Sequence, residues 1–151
     1  MCNRKPFDKG LYKKYDSKAK KYAEKVLSDA GFNVEVNPNK MGVDLIISDK
    51  KDVVFYVETE VKKSIHSDED FAYDTLRILD RKCKYMQLDL PTLFMLFSED
   101  GLRYLCVWSF VVLECPTIIL DNKYVEGEKF FNIPMRKVDK DIKKAMKKLR
   151  G

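Results

Sequence analysis

Apolar residues recur at three- and four-residue spacing over residues 16–30, DSKAKKYAEKVLSDA, where Ala19, Tyr22, Ala23, Val26, Leu27 and Ala30 form one stripe. That period predicts an amphipathic helix. Asp16 or Ser17 can cap its start, and Gly31 stands where a helix ends in the left-handed conformation. The period then shortens to two. Phe32, Val34 and Val36 alternate with polar residues until NPNKMG interrupts them. VDLIIS (43–48) and VVFYVETEV (53–61) read as two strands joined by DKKD, a hairpin signal.

Residues 67–87, SDEDFAYDTLRILDRKCKYMQ, return to a helical period, with Phe71, Thr75, Ile78, Leu79, Cys83 and Met86 on the apolar side. The acidic first turn suits the positive end of a helix dipole, and Pro91 closes the segment. TLFMLFS and LRYLCVW flank the turn EDG as a second hairpin; FVVLE, TIIL and KFFNI read as further short strands. KVDKDIKKAMKKLR predicts a basic amphipathic helix over about 138–150, with Val138, Ile142, Met146 and Leu149 inward. The order predicts one α/β domain over 1–151, a mixed sheet packed by helices.

At 151 residues the chain can bury a single sound core. With 45% hydrophobic and 35% charged residues it is neither disordered nor a membrane protein, and no run approaches the ~20 apolar residues of a bilayer span. The start, MCNRKPFDKG, lacks the apolar core of a signal peptide. Cys2, Cys83, Cys106 and Cys115 show no metal-ligand spacing, so a reducing, cytoplasmic setting is expected. The net charge of +5 is unevenly spread: residues 1–25 carry +6, residues 136–151 carry +6, and the centre carries −7. Two basic ends can attract a polyanion.

The acidic centre contains the candidate chemistry. Side chains alternate along a strand, so Val54, Tyr56, Glu58, Glu60 and Lys62 share one face of an otherwise central, hydrophobic strand. If the hairpin turns about Lys50 and Lys51, Asp44 falls opposite Val57 and Glu58. Three converging carboxylates repel and raise one another's pKa, a cost usually met by a divalent metal. Oxygen ligands favour Mg²⁺ or Mn²⁺ over zinc. The plainer reading of such a face is a solvated ladder of cross-strand ion pairs.

The helix ending in GF, then GVDLII, a hairpin, V-E-T-E-V-K and a helix with Arg and Lys together resemble the PD-(D/E)-x-K nuclease superfamily, over roughly residues 16–108 with the motif itself in 42–62. The resemblance implies a restriction-endonuclease-like fold, a central mixed β-sheet flanked by helices, as in restriction enzymes, Holliday-junction resolvases and phage endonucleases. It implies a metal-dependent deoxyribonuclease of a bacterium, archaeon, phage or mobile element. Asp44 matches the metal-binding Asp, and Glu60-Val61-Lys62 matches E-x-K, with Lys62 assisting the attacking water. Glu58-Thr59-Glu60 fits a second register, and both stay open, so Asp44, Glu58 and Glu60 are the expected ligands. Val43 replaces the usual Pro, and Glu24 is the one acidic candidate on the first helix, about a turn nearer to GF than family members place theirs.

Arg77, Arg81 and Lys84 fall at i, i+4 and i+7 of the second predicted helix and could contact consecutive phosphates, or pair with Asp70, Asp74 and Asp80. Lys140, Lys143, Lys144, Lys147, Lys148 and Arg150 surround the last apolar stripe and suit a nucleic-acid backbone better than a membrane. Tyr12, Tyr15 and Tyr22 interleave with lysines, although Tyr22 fits the core. His66, without a paired nucleophile, reads as an exposed loop residue, and Trp108 as a packing residue. No base-reading module is visible, so cleavage is expected to be structure- or strand-selective, on DNA, with RNA left open. Cutting two strands with one site per chain needs two chains or two visits, which makes a homodimer an expected partner arrangement. The competing expectations are a non-catalytic nucleic-acid-binding or assembly module on the same fold, and an ion-paired protein-interaction domain.

Overall fold

A computed structural model describes residues 9–39, 42–121 and 126–150, with side chains described from Ser17 onward. Helix α1 spans Lys9–Asp29, starting well before the expected cap at 16–17. Ala19, Ala23 and Leu27 of its stripe are fully buried, whereas Ala30 lies past its end and is exposed. Gly31 closes the helix at φ +94°, and Phe32 donates its N–H back to the Leu27 carbonyl. Only glycine takes that backbone conformation without a Cβ penalty.

Strands β1 (Asn33–Val36), β2 (Leu45–Asp49), β3 (Asp52–Val61), β5 (Thr92–Phe97) and β6 (Tyr104–Trp108) form a mixed sheet in the order β1-β2-β3-β5-β6. The β2–β3 hairpin turns at Lys50 and Lys51, as the sequence predicts, with Leu45 opposite Val57. β3 and β5 are parallel, β5 lies inside the sheet between β3 and β6, and all six of its residues are buried. Such a continuous apolar run is what a strand covered on both faces requires.

The two faces have separate cores. On one, Leu45, Ile47, Phe55, Val57, Leu93, Met95 and Trp108 pack against α1 and against α3 (Ile142–Arg150). On the other, Phe94, Leu96, Leu105 and Val107 meet Leu76, Ile78, Phe131 and Ile133. The latter four belong to a second sheet, β4-β8-β7, built from β4 (Thr75–Leu79), β7 (Thr117–Leu120) and β8 (Glu128–Pro134). The chain is therefore α/β with a central mixed sheet flanked by helices, as expected, but it has two sheets rather than one.

The helix expected over 67–87 does not form. Thr75–Leu79 is strand β4, paired antiparallel with β8, and Asp80–Met86 is a 3-10 helix. Over five residues the helical and alternating readings share Ile78; pairing with β8 selects the alternating one, burying Leu76 and Ile78 and exposing Arg77. FVVLE is not a strand either. Ser109–Val112 is a short helix, α2, with Leu113 donating to the Ser109 carbonyl while the Ser109 hydroxyl accepts from the Thr92 N–H. The final helix begins at Ile142, not 138, capped where Asp141 accepts the Lys144 N–H. Its predicted inward face holds: Val138, Ile142 and Met146 are buried, Leu149 packs against the core, and the Trp108 indole donates to the Ala145 carbonyl at 2.7 Å.

Candidate functional site

The β2–β3 ladder ends at Leu45 and Val57, one residue short of Asp44. There the Asp44 carboxylate replaces the missing strand: its Oδ2 accepts the Thr59 backbone N–H at 2.8 Å and the Thr59 hydroxyl at 2.9 Å. This fixes the carboxylate's orientation. Its other oxygen lies 3.9 Å from the Lys20 ammonium of α1.

Beside it, Glu58 is 8% exposed and its Oε1 is buried with no hydrogen-bond partner. Its Oε2 is 3.7 Å from Lys82 Nζ, and the same ammonium is 3.5 Å from Glu60 Oε2. Burial pushes the Glu58 carboxyl up to about 8, the nearby Lys82 charge opposing that rise and Asp44 adding to it. The Lys82 pKa is raised as well, against its burial. Burial alone would lower its pKa, but Glu60, Glu58 and Asp44 hold the ammonium firmly protonated. This face is therefore no solvated ladder of ion pairs. A buried carboxylate is poised between neutral and ionised forms, beside a fixed cation and a hydrogen-bonded aspartate.

The structure thus brings Asp44, Glu58 and Glu60 to one end of β3, but not as a ready three-carboxylate cage. Among the described residues, no three His, Cys, Asp or Glu side chains are grouped to hold a metal ion. Asp44 and Glu58 are the closer pair, and Glu60 is engaged with Lys82. Lys62 lies just past the end of β3, its N–H donating to the Phe97 carbonyl, and its side chain lines a cleft with Ser64, Phe71, Tyr73, Thr75 and Arg77. The ammonium groups at the carboxylates are those of Lys82 and Lys20.

Lys82 and Lys20 are the residues that sequence reasoning missed. Lys82 carried a signal: it sits four residues after Ile78 and four before Met86, on the apolar side of the helical reading, where a lysine needs a buried partner. Lys20 lies one turn before Glu24, the position at which α1 meets Asp44; among the described residues no hydrogen bond or ion pair joins Glu24 to the site.

The expected helical row of Arg77, Arg81 and Lys84 is not a row. Arg77 is exposed on β4, whereas Arg81 and Lys84 belong to the 3-10 helix, with Lys84 lying 4.9 Å from the centre of the Tyr85 ring. The loss of the helix removes the shared face. On α3, Lys148 is tied to Asp139 at 3.0 Å and to the Lys137 carbonyl, while Lys143, Lys144, Lys147 and Arg150 are exposed. His66 is exposed, 3.9 Å from Glu69. Tyr22 packs on Phe97 and donates to the Glu99 carbonyl, and Trp108 is fully buried. Cys83, Cys106 and Cys115 are free thiols. Cys2 and the side chains of Tyr12 and Tyr15 lie outside the described residues. No helix among the described residues is long and apolar enough to cross a membrane.

No protein-family model matches the chain, and no curated protein matches it. Among solved structures it is similar to a nuclease from a fusselovirus, with a TM-score of 0.48 and 16% identity over 99% of this chain and 96% of that one. A likeness of that degree fixes no residue's role, so the reading of this site rests on its own side chains.

Proposed function

We propose that the chain is a divalent-metal-dependent endonuclease of the PD-(D/E)-x-K type that hydrolyses DNA phosphodiester bonds, selecting structure or strand rather than sequence. The observation that carries this reading is the Asp44–Glu58 pair, one carboxylate oriented by Thr59 and the other buried with an oxygen lacking any hydrogen bond. A buried, unsatisfied carboxylate oxygen is costly unless a ligand completes it. Two carboxylates suit Mg²⁺ or Mn²⁺, which keeps several waters and commonly binds phosphates alongside one or two acidic groups.

In this reading Asp44 and Glu58 would hold the ion, with Glu60 as the remaining candidate ligand. The metal would acidify a bound water and offset charge on the phosphodiester. Thr59 keeps Asp44 from rotating. Lys82 stays protonated against its burial and would hold a phosphate oxygen or orient the attacking water beside Glu60. Lys62, on the adjoining cleft, would bind backbone rather than act on the water, which favours Glu58-Thr59-Glu60 as the working register.

A second reading has its own observation. Lys82 already bridges Glu58 and Glu60, as it would in a non-catalytic binding or assembly module with a structural charge cluster. Cleavage assays separate the two. With Mn²⁺ or Mg²⁺ and a panel of plasmid, branched and single-stranded DNA, the wild type should cut, and Asp44→Ala, Glu58→Ala and Glu60→Ala should each lose activity. Cleavage unchanged in all three variants would sink the proposed site. No cleavage and no calorimetric metal binding by the wild type would overturn the nuclease reading, and salt-sensitive DNA binding in that protein would then favour the module.

A further inference from the structure

The loop between β3 and β4 carries an aromatic pair that the carboxylate site does not use. Phe71 is half-buried against the core beneath the second sheet, and Tyr73 meets it edge-on at 5.4 Å while remaining 60% exposed. The loop is held from behind: Arg103 donates to the Glu69 carbonyl and pairs with Asp70 at 3.4 Å, and Met135 donates its N–H to the Asp74 carbonyl. Tyr73 is thus an exposed ring on a supported base.

Two clefts meet at this pair, and both are lined by Phe71 and Tyr73. The smaller, about 240 Å³, also contains Lys62 and Arg77. The larger, about 440 Å³, also contains Arg136 and Lys140, together with Asp74 and with Asp70, which pairs with Arg103 at its exposed surface. Cations therefore stand on both sides of an aromatic ridge. Lys62, which lines the smaller cleft, is two residues beyond Glu60, about 7 Å along an extended chain.

We propose that this surface binds a single-stranded segment of nucleic acid, with a base stacked on Tyr73 and phosphates held by Lys62 and Arg77 on one side and Arg136 and Lys140 on the other. A pocket for a small apolar ligand would be lined mainly by apolar groups with few charges. Cationic grooves interleaved with exposed rings are instead the chemistry of single-strand binding, since every base has a face to stack. In a duplex the bases already stack on one another, and an exposed ring between phosphate sites has no base to meet. The inference deepens the nuclease reading, naming the strand its site would take, and rests on that reading only for what happens after binding.

The test is fluorescence anisotropy of the full chain in EDTA, so that nothing is cut, with a fluorescein-labelled thymidine dodecamer and a duplex of equal length. Tyr73→Ala should weaken single-strand binding about tenfold. Tyr73→Phe, which keeps the ring, should stay within about twofold of the wild type. Arg77→Ala and the double variant Arg136→Ala/Lys140→Ala should lower the salt slope by about 0.7 per cation removed. Circular dichroism checks that each variant is folded. Wild-type affinity in Tyr73→Ala would overturn the proposal, as would an equal loss on the duplex. The two readings fail separately: metal-dependent cleavage lost in Asp44→Ala while Tyr73→Ala binds normally removes this surface alone, and a Tyr73-dependent affinity in a protein that never cuts removes the nuclease alone.

Discussion

Glu58 and Asp139 are both buried acids that face a lysine and keep one oxygen without a hydrogen bond, yet their surroundings differ. Asp139 meets Lys148 at 3.0 Å, and its backbone makes two 2.8 Å hydrogen bonds with Cys106. One acid meets one base at hydrogen-bond distance, and the backbone of the acid is stapled to the sheet. Along β3, Asp44, Glu58 and Glu60 share Lys82 and Lys20 at 3.5–3.9 Å, and the Glu58 carboxyl is pushed up to about 8. An orphaned oxygen alone therefore does not mark a site. What distinguishes the site is that two buried carboxylates, Asp44 and Glu58, lie side by side, so that burial and the Asp44 charge together raise the Glu58 pKa.

The widest separation between the two clusters should be seen in activity. Asp44→Ala and Glu58→Ala are expected to lower metal-dependent DNA cleavage about a hundredfold or more, while Asp139→Asn leaves the rate per folded molecule within about twofold. Comparable losses from all three would erase the distinction. Next in size is stability. Lys82→Met leaves two acids without their buried counter-charge and should cost about 3–5 kcal/mol in mildly alkaline buffer, where Glu58 is ionised. Lys148→Met, at a side chain about a third exposed, should cost about 1 kcal/mol in the same urea titration.

The pH dependence sharpens the contrast further. Glu58 has its pKa raised from 4.5 to about 8 on folding, so the native state binds a proton that the unfolded chain releases between those values. Stability from this group should fall as pH rises from about 4.5 to 8, with no penalty below that window and the full penalty above it, on the order of a few kcal/mol. Glu58→Gln should flatten that decline in urea midpoints measured across the window, and a decline unchanged in the variant would show that another group causes it. A further modest effect is that of Mg²⁺ on the melting temperature. At ten times its dissociation constant the ion should add about 1.4 kcal/mol, a rise of a few degrees in the wild type and none in Asp44→Ala.

The local periods determined much of this protein without help from its tertiary structure. The stripe of Ala19, Ala23 and Leu27, the turn at Lys50 and Lys51, the alternation on β3 and the inward face of α3 all follow from side-chain spacing, because each element buries one side and that demand is written locally. The same alternation put Glu58 and Glu60 together and placed Asp44 opposite Glu58. Residues 67–87 were not legible in that way. Their spacing fits a helix, but β8 offers Thr75–Leu79 a ladder, and pairing across more than fifty residues of sequence leaves no local mark. That choice dissolved the row of Arg77, Arg81 and Lys84 and brought Lys82 to the carboxylates. It also left Tyr73 exposed between two clefts. The sequence determined which acids gather, since neighbours on paired strands are set by register; the tertiary structure decided which cations meet them, since those arrive from elements that only long-range packing can place.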